Sequence, residues 1–464
     1  MASITFWGAV ESVTGSRFLL ELDNKKYLID CGLFQGTKQN RLRNWEPFPV
    51  PAKQIERVLL THAHIDHSGY LPRFCRENFQ GVIHSTHATR DLCDIMLADS
   101  AHIQEEDAAW ANKKGFSKHK PALPLYTVED ARKTMDMFKS CHYGEEIFLQ
   151  DDIRVKFRDA GHILGSAFID IKRRNGQESK KIVFSGDFGR SGHALLREPD
   201  QVYNVDYLIL ESTYGNRLHE GKDPLTELTR VINETVKRRG VLVVPSFSVG
   251  RTQTLLYALR ELEEAGKIPV LDIYMDSPMG IAATKVFETR VTGYNLKARK
   301  QIMRGNAIFQ PKRLNVCQTV QESKAINNVT RNAIIISSSG MATAGRILHH
   351  LMARLPDRQN TVLLIGYQAE GTRGRTLLEG NPTVKIHGQQ VPVRARVESI
   401  PGFSGHGDYE EILAWLMAFN KAPQNIFIVH GEETASMALA DRIKNRFGWE
   451  SVIPKIGQKF ELNF

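Results

Sequence analysis

The chain offers little sulfur chemistry. Its 464 residues include five cysteines (Cys31, Cys75, Cys93, Cys141 and Cys317), widely spaced and with no C-x-x-C pair. That spacing argues against a thiolate zinc site. The odd count fits reduced thiols in a cytoplasmic setting better than a disulfide framework. No window approaches the ~18 uninterrupted apolar residues that a membrane span needs. The first twenty residues, broken by Glu11 and Arg17, lack the basic-then-apolar order of a secretory leader. There is no internal repeat, low-complexity tract or disordered linker. What remains is an ordinary globular composition, 42% hydrophobic and 24% charged, long enough for two or three domains. A net charge of +9 permits a polyanionic partner without requiring one. Nine basic residues against one acidic lie between Arg290 and Arg331. A solvated helix face accounts for such a run as readily as a binding surface does.

Against this plain background, Thr61-His62-Ala63-His64-Ile65-Asp66-His67 stands out, with three imidazoles and one carboxylate inside six residues. Such neighbours crowd one another unless something is bound between them, and imidazole with carboxylate oxygen suits zinc. The apolar Arg57–Leu60 reads as a buried strand and Ser68–Pro72 as a helix start. The cluster therefore falls on a strand-to-helix loop. Two further polar residues end apparent strands: His162 between Gly161 and the Ile163-Leu164-Gly165 turn, and Asp187 after Phe184-Ser185-Gly186. Taken singly, each is equally a turn residue.

The first part of the chain alternates short strands and turns. Helices are expected over Thr86–Ala111 and Val128–Cys141, and a hairpin over Ala167–Lys172 and Lys181–Ser185. After Val205 the texture becomes regular β/α alternation. Strands are expected at Val241–Pro245, Val270–Met275, Ala333–Ser337 and Thr361–Tyr367. Helices are expected at Thr252–Ala265, Met279–Arg290 and Ala342–Leu355. Short apolar strands between helices imply a mostly parallel sheet covered on both faces. From Arg396 onward the pattern gives one strand, then helix, strand and helix.

The series His62-x-His64-x-Asp66-His67, Gly161-His162, Gly186-Asp187, with Asp30 upstream in Leu28-Ile29-Asp30-Cys31-Gly32, resembles the metallo-β-lactamase family. Three more segments resemble the motifs of its β-CASP branch of nucleases: Leu210–Gly215 with Glu211, Phe403–Asp408 with His406, and Ile428–Glu432 with His430. The resemblance spans essentially the whole chain. It implies an α/β protein, an αββα sandwich (1–214 and 396–464) into which a mostly parallel β-CASP domain (215–395) is inserted. It also implies two zinc ions. His62, His64 and His162 would hold one; Asp66, His67 and His430 would hold the other; Asp187 would bridge them. Asp30 would support the ligand loops, His406 would be the general acid oriented by Glu211, and Asp66 would also belong to the catalytic set.

The implied activity is two-metal hydrolysis of RNA phosphodiester bonds, in RNA processing or decay. DNA-repair members of the branch carry an aliphatic residue where His430 stands, so His430 favours RNA, most simply single-stranded RNA. The chain stops soon after the last motif, so endonucleolytic cutting is expected, with 5′–3′ exonuclease action as an accessory. A DNA nuclease, a hydrolase of small esters or lactams, a flavodiiron-type oxidoreductase and a non-catalytic RNA-binding scaffold are the competing readings. No membrane partner is expected, and a homodimer is left open. Within the inserted part, Ser246 and Arg251, Ser338 and Ser339, and Arg373 and Arg375 sit at strand-to-helix turns, where phosphates bind. They are the candidate RNA contacts, although capping alone explains serine-rich turns equally well.

Overall fold

A computed structural model describes residues 2–115, 117, 119–219 and 223–464. These divide into two compact units. The first contains Met1–Gly192, Glu198–Leu218 and His406–Phe464; the second contains His193–Arg197 and His219–Gly405.

The first unit is built on two seven-stranded sheets. One runs Lys459–Leu462, Ala2–Phe6, Phe18–Leu22, Lys25–Ile29, Ile55–Leu59, Val82–Thr86 and Phe138–Cys141. The other runs Ser451–Val452, Asn425–Val429, Tyr207–Glu211, Glu178–Phe184, Ala167–Asn175, Ile153–Asp159 and Ile147–Gln150. Their facing side chains fill one core, in which Ile4, Phe6, Leu20 and Tyr27 of the first sheet meet Val155, Phe157, Ile169, Phe184 and Phe427 of the second. Period-2 alternation explains this: along Ile153–Asp159 every second side chain is buried. On the far side of the second sheet, Leu208, Leu210, Ile426 and Ile428 pack with Trp415, Leu416, Leu439 and Ile443. The last four belong to the helices Tyr409–Leu416 and Glu433–Phe447.

The second unit holds a six-stranded sheet in the order Leu314–Val316, Asp272–Met275, Ala333–Ser337, Val241–Pro245, Thr361–Leu364 and Arg396–Ser399. Every pairing in it is parallel. The expectation of a mostly parallel inserted sheet therefore agrees with the structure.

Three local expectations are corrected. The helix expected over Val128–Cys141 ends at Met135, and Phe138–Cys141 instead adds a parallel strand beside Val82–Thr86. Sheet pairing there overrides local propensity. The helix expected from Ala342 begins at Ile347. The Ser339 hydroxyl accepts from the Thr343 N–H (2.9 Å), and Ala342 and Gly345 take positive φ, which holds this stretch as a turn. The strand Arg396–Ser399, expected with the returning part of the sandwich, pairs with Thr361–Leu364 in the second unit.

Parallel order also positions the site. Glu178–Phe184, Tyr207–Glu211 and Asn425–Val429 are parallel neighbours, so their C-terminal ends share one edge of the sheet. Asp187, Glu211 and His430 sit there. On the other sheet, Ile55–Leu59 leads to His62 and His64, and the short helix Ile65–Ser68 carries Asp66 and His67. Backbone bonds lock that helix to the neighbouring strand end: Ser16 N–H donates to Asp66 O (2.8 Å) and Cys31 N–H to His67 O (2.7 Å). A Cβ at Gly32 would lie 1.6 Å from Asp66 O, so only glycine permits this approach. Gly32→Ala is expected to lower unfolding stability by about 1–3 kcal/mol and to weaken metal retention. Thermal unfolding of metal-free protein with zinc titration checks this, and wild-type values in both would contradict it.

Candidate metal centre

The structure gathers His62, His64, Asp66, His67, His162, Asp187 and His430 into two adjoining sets. His62 Nε2 lies 3.1 Å from His64 Nδ1, which lies 3.2 Å from His162 Nε2. Asp187 Oδ2 is 3.4 Å from both His62 Nε2 and His162 Nε2. In the second set, His67 Nε2 and His430 Nε2 are 3.1 Å apart, and His430 Nε2 is 3.5 Å from Asp66 Oδ2. The other oxygen of Asp187, Oδ1, lies 3.1 Å from His67 Nε2. One carboxylate thus turns a different oxygen to each set.

These separations pass a simple test. Ligand atoms at ~2.0–2.2 Å around a tetrahedral zinc lie about 3.3–3.6 Å apart, and the observed spacings span 3.1–3.5 Å. Asp187 Oδ1 is buried and accepts no hydrogen bond, although ring nitrogens stand at 3.1 and 3.4 Å. Ring nitrogens that face one another at 3.1–3.2 Å around a carboxylate oxygen with no hydrogen bond of its own fit a shared cation. The donor set of imidazole and carboxylate, without thiolate, suits zinc.

A second layer fixes the rings. Asp30, fully buried, accepts from Thr61 N–H (2.8 Å), Thr61 Oγ1–H (2.9 Å), Ser16 Oγ–H (3.3 Å) and His67 Nδ1–H (2.7 Å). The last bond leaves His67 Nε2 facing the cluster. His406 Nδ1 lies 3.1 Å from both Glu211 oxygens, and its Nε2 is 3.9 Å from Asp187 Oδ2. Glu211 is itself held by Phe188 N–H and Thr213 Oγ1–H. Gly407 N–H donates to Phe188 O (2.8 Å), tying the His406 turn to the Asp187 turn. Thr61, Thr213 and Ser16 have structural parts here that the motifs alone did not single out. Their one signal is a hydroxyl placed next to a ligand residue.

Burial disfavours charge at every one of these groups. At His62 and His162 it prevails, and the charges of His67 and His406 respectively push further the same way, so both rings are held below the ordinary imidazole range. At His67, burial is outweighed by Asp187 and Asp30, which hold the ring well above that range; at His430, Asp187 and Asp66 act likewise. At Asp66 and Asp187, burial opposes ionisation, but the facing imidazoles, His430 foremost, keep both carboxylates below their usual range.

The candidate phosphate contacts behave differently. Ser246 and Arg251 are buried. The Arg251 guanidinium packs where a Cβ at Gly405 would stand, 2.1 Å from Nη2. Arg373 donates to the carbonyls of Lys385 (2.6 Å) and Thr343 (2.8 Å), and Arg375 to Glu379 (2.7 Å). Ser338 bonds to Ser277 (2.8 Å) and Ser339 to Thr343 (3.0 Å). The internal partners named here account for much of the polarity read as phosphate binding.

Comparison with known proteins decides the family. Residues 19–207 match the metallo-beta-lactamase superfamily domain, 252–377 the Beta-Casp domain, and 390–454 the Zn-dependent metallo-hydrolase RNA specificity domain. The chain belongs to the metallo-β-lactamase superfamily, in its β-CASP branch. It is 33% identical to Ribonuclease TTHA0252 of Thermus thermophilus, over 97% of this chain and 98% of that protein. An RNase J-like protein of Methanocaldococcus jannaschii is 30% identical over 98% and 99%. Transcription termination factor FttA of Methanosarcina mazei is 30% identical over 97% of this chain and 70% of its own length. A crystal structure of an Enterococcus faecalis protein of unknown function superposes with a TM-score of 0.55 at 13% identity, covering 99% of this chain and 100% of the other, a likeness of fold alone. Among the described residues, no helix of this β-CASP protein is long and apolar enough to cross a membrane.

Metal-free protein is expected to lose stability as pH rises above about 6.5. His67 and His430 bind protons more tightly folded than unfolded, so their contribution is complete below the unfolded pKa and fades as pH passes the raised folded values. Zinc replaces those protons, so its stabilising effect grows over the same range. Melting curves with chelator and with zinc at pH 6.5 and 9 check this; a zinc-induced shift that is equal at both pH values, or smaller at pH 9, would contradict it.

Proposed function

We propose that this protein is a zinc-dependent ribonuclease that cuts single-stranded RNA internally, with 5′–3′ exonucleolytic trimming as an accessory action. In this reading His62, His64 and His162 would hold one zinc and Asp66, His67 and His430 the other, with the Asp187 carboxylate facing both sets. Ribonuclease names among relatives that match nearly its whole length support RNA as the substrate. The observation that carries the catalytic reading is His406, with one ring nitrogen on Glu211 and the other turned to Asp187.

Zinc bound in these two sets supplies Lewis acidity that offsets phosphate charge and brings a water molecule's pKa near neutrality. The chain's own part is orientation and proton transfer. Glu211 accepts from His406 Nδ1–H, which fixes the ring's orientation; as general acid the ring is the imidazolium, with its second proton on Nε2. The Phe188 N–H and the Thr213 hydroxyl keep the Glu211 carboxylate from swinging away. The His406 side chain is 14% exposed, so a substrate oxygen can reach it. Once the attacking water has released a proton to solvent, its oxygen bonds to phosphorus as the P–O bond to the leaving sugar breaks, and the proton on His406 Nε2 passes to the departing oxygen. Asp66 keeps its negative charge beside His430 and His67 and would offset the charge of a cation held there.

An RNA-binding scaffold without activity is disfavoured, because none of the seven convergent groups is replaced by a non-ligating residue. His406→Ala is expected to retain zinc while turnover of labelled single-stranded RNA falls by roughly 10²–10⁴-fold. Glu211→Gln is expected to fall between that variant and wild type. Elemental analysis beside multiple-turnover assays on RNA and DNA oligomers tests both points. Undiminished turnover in His406→Ala would place the acid elsewhere, and preference for DNA would overturn the substrate.

A further inference from the structure

On the face of the second sheet turned away from the sandwich core, the register lines up an unusual row. Phe148 is paired with Arg154, Arg154 with Lys172, and Lys172 with Lys181, across four adjacent strands. Three cations directly opposite one another repel, and a sheet does not place them so without cost. Along Ile153–Asp159 the same face also presents Lys156 and Arg158, spaced by the two-residue repeat of ~6.6–6.8 Å.

The acids nearby do not cancel this charge. Glu146 is shared by Arg154 (2.7 Å) and Lys156 (2.9 Å), and Asp170 by Arg158 (2.6 Å) and Lys181 (3.6 Å). Each of these carboxylates thus answers two cations; a third, Asp152, pairs with Arg173 (2.7 Å), and Lys172 and Arg174 add charge beyond these pairs. Together these side chains, Arg173 apart, line a trough of about 180 Å³. Burial lowers the Lys181 pKa, and the Arg158 and Lys172 charges press the same way against Asp170, as expected where positive charge is in excess.

The end of the row decides the class of ligand. Phe148 is 53% exposed, and the Arg154 guanidinium stands over its ring at 4.8 Å. An aromatic plane in water beside a file of cations is the combination that binds single-stranded nucleic acid, bases stacking on the ring and phosphates meeting the cations. The strand Ile153–Asp159 then continues to His162, four residues beyond Arg158, so the file points along the strand that delivers a metal-cluster histidine.

We propose that this face is a second, sequence-tolerant docking surface for single-stranded RNA, outside the metal cluster, with Phe148 stacking a base and Arg154, Lys172, Arg174 and Lys181 meeting backbone phosphates. It rests on the reading of the protein as an RNA hydrolase and adds to it a place where substrate beyond the cut is held.

The test uses the full zinc-loaded chain in a His406→Ala background. Affinity for a labelled single-stranded RNA of about 20 nucleotides is measured against salt for three forms: unsubstituted, Phe148→Ala, and Lys172→Ala with Arg174→Ala. The Phe148→Ala form is expected to bind about tenfold more weakly with its salt slope unchanged. The double variant is expected to reduce the log–log slope by about 1.4. Inorganic polyphosphate as competitor should lose affinity for the double variant only. In the otherwise wild-type enzyme, these changes should leave cleavage of a dinucleotide unaltered, which separates docking from folding and chemistry. Unchanged affinity and slope in both variants, with RNA binding otherwise intact, would overturn this inference alone. Failure of the unsubstituted form to bind RNA at any salt would remove the ribonuclease reading and this inference with it. Loss of polyphosphate binding without loss of RNA binding would assign the trough to a free polyphosphate and overturn the RNA surface.

Discussion

The Asp187 carboxylate faces five imidazoles through its two oxygens. His62 and His162 stand at one oxygen, His67 and His430 at the other, and His406 lies slightly further out. So much polarity at 2% exposure is unfavourable unless each lone pair finds positive charge. Protons on His67 and His430 supply part of that charge, and two cations would supply all of it. The rest of the first unit answers this constraint. Two sheets bring strand ends from opposite parts of the chain to one edge, Asp30 and Glu211 hold the outer ring nitrogens, and Gly32 lets two backbone segments close to bonding distance.

Much of the cluster was legible in the sequence, because its densest part is local. His62, His64, Asp66 and His67 fall within one turn and one short helix, so spacing alone suggested a common target. His162, Asp187 and His430 were legible only as glycine-flanked or strand-ending polar residues, each with an ordinary turn reading. Their convergence is a property of parallel strand order. Glu211 pairs with Val429, and no local pattern announces a partner 218 positions away.

What sequence reasoning misjudged traces to long-range pairing, and what it did not see traces to burial. Phe138–Cys141 has the composition of a helix end, yet the open edge of Val82–Thr86 recruits it as a strand. Lys459–Leu462 pairs with Ala2–Phe6 from the other end of the chain, beyond any local signal. Arg251 sits at a strand-to-helix turn of the kind that binds phosphate, and only the fold shows its guanidinium buried close to Gly405. The cations of the outer sheet face had the reverse fate. Arg154, Lys172 and Lys181 are unremarked in sequence, and only the cross-strand register sets them side by side.

The central claim is a pair of zinc ions bridged by one carboxylate. Anomalous diffraction at the zinc absorption edge, on crystals of the zinc-loaded protein, tests it most directly. Two peaks are expected, ~3.5–4 Å apart, one among His62, His64 and His162 and one among Asp66, His67 and His430, each beside a different oxygen of Asp187. A single peak, or peaks away from Asp187, would contradict it.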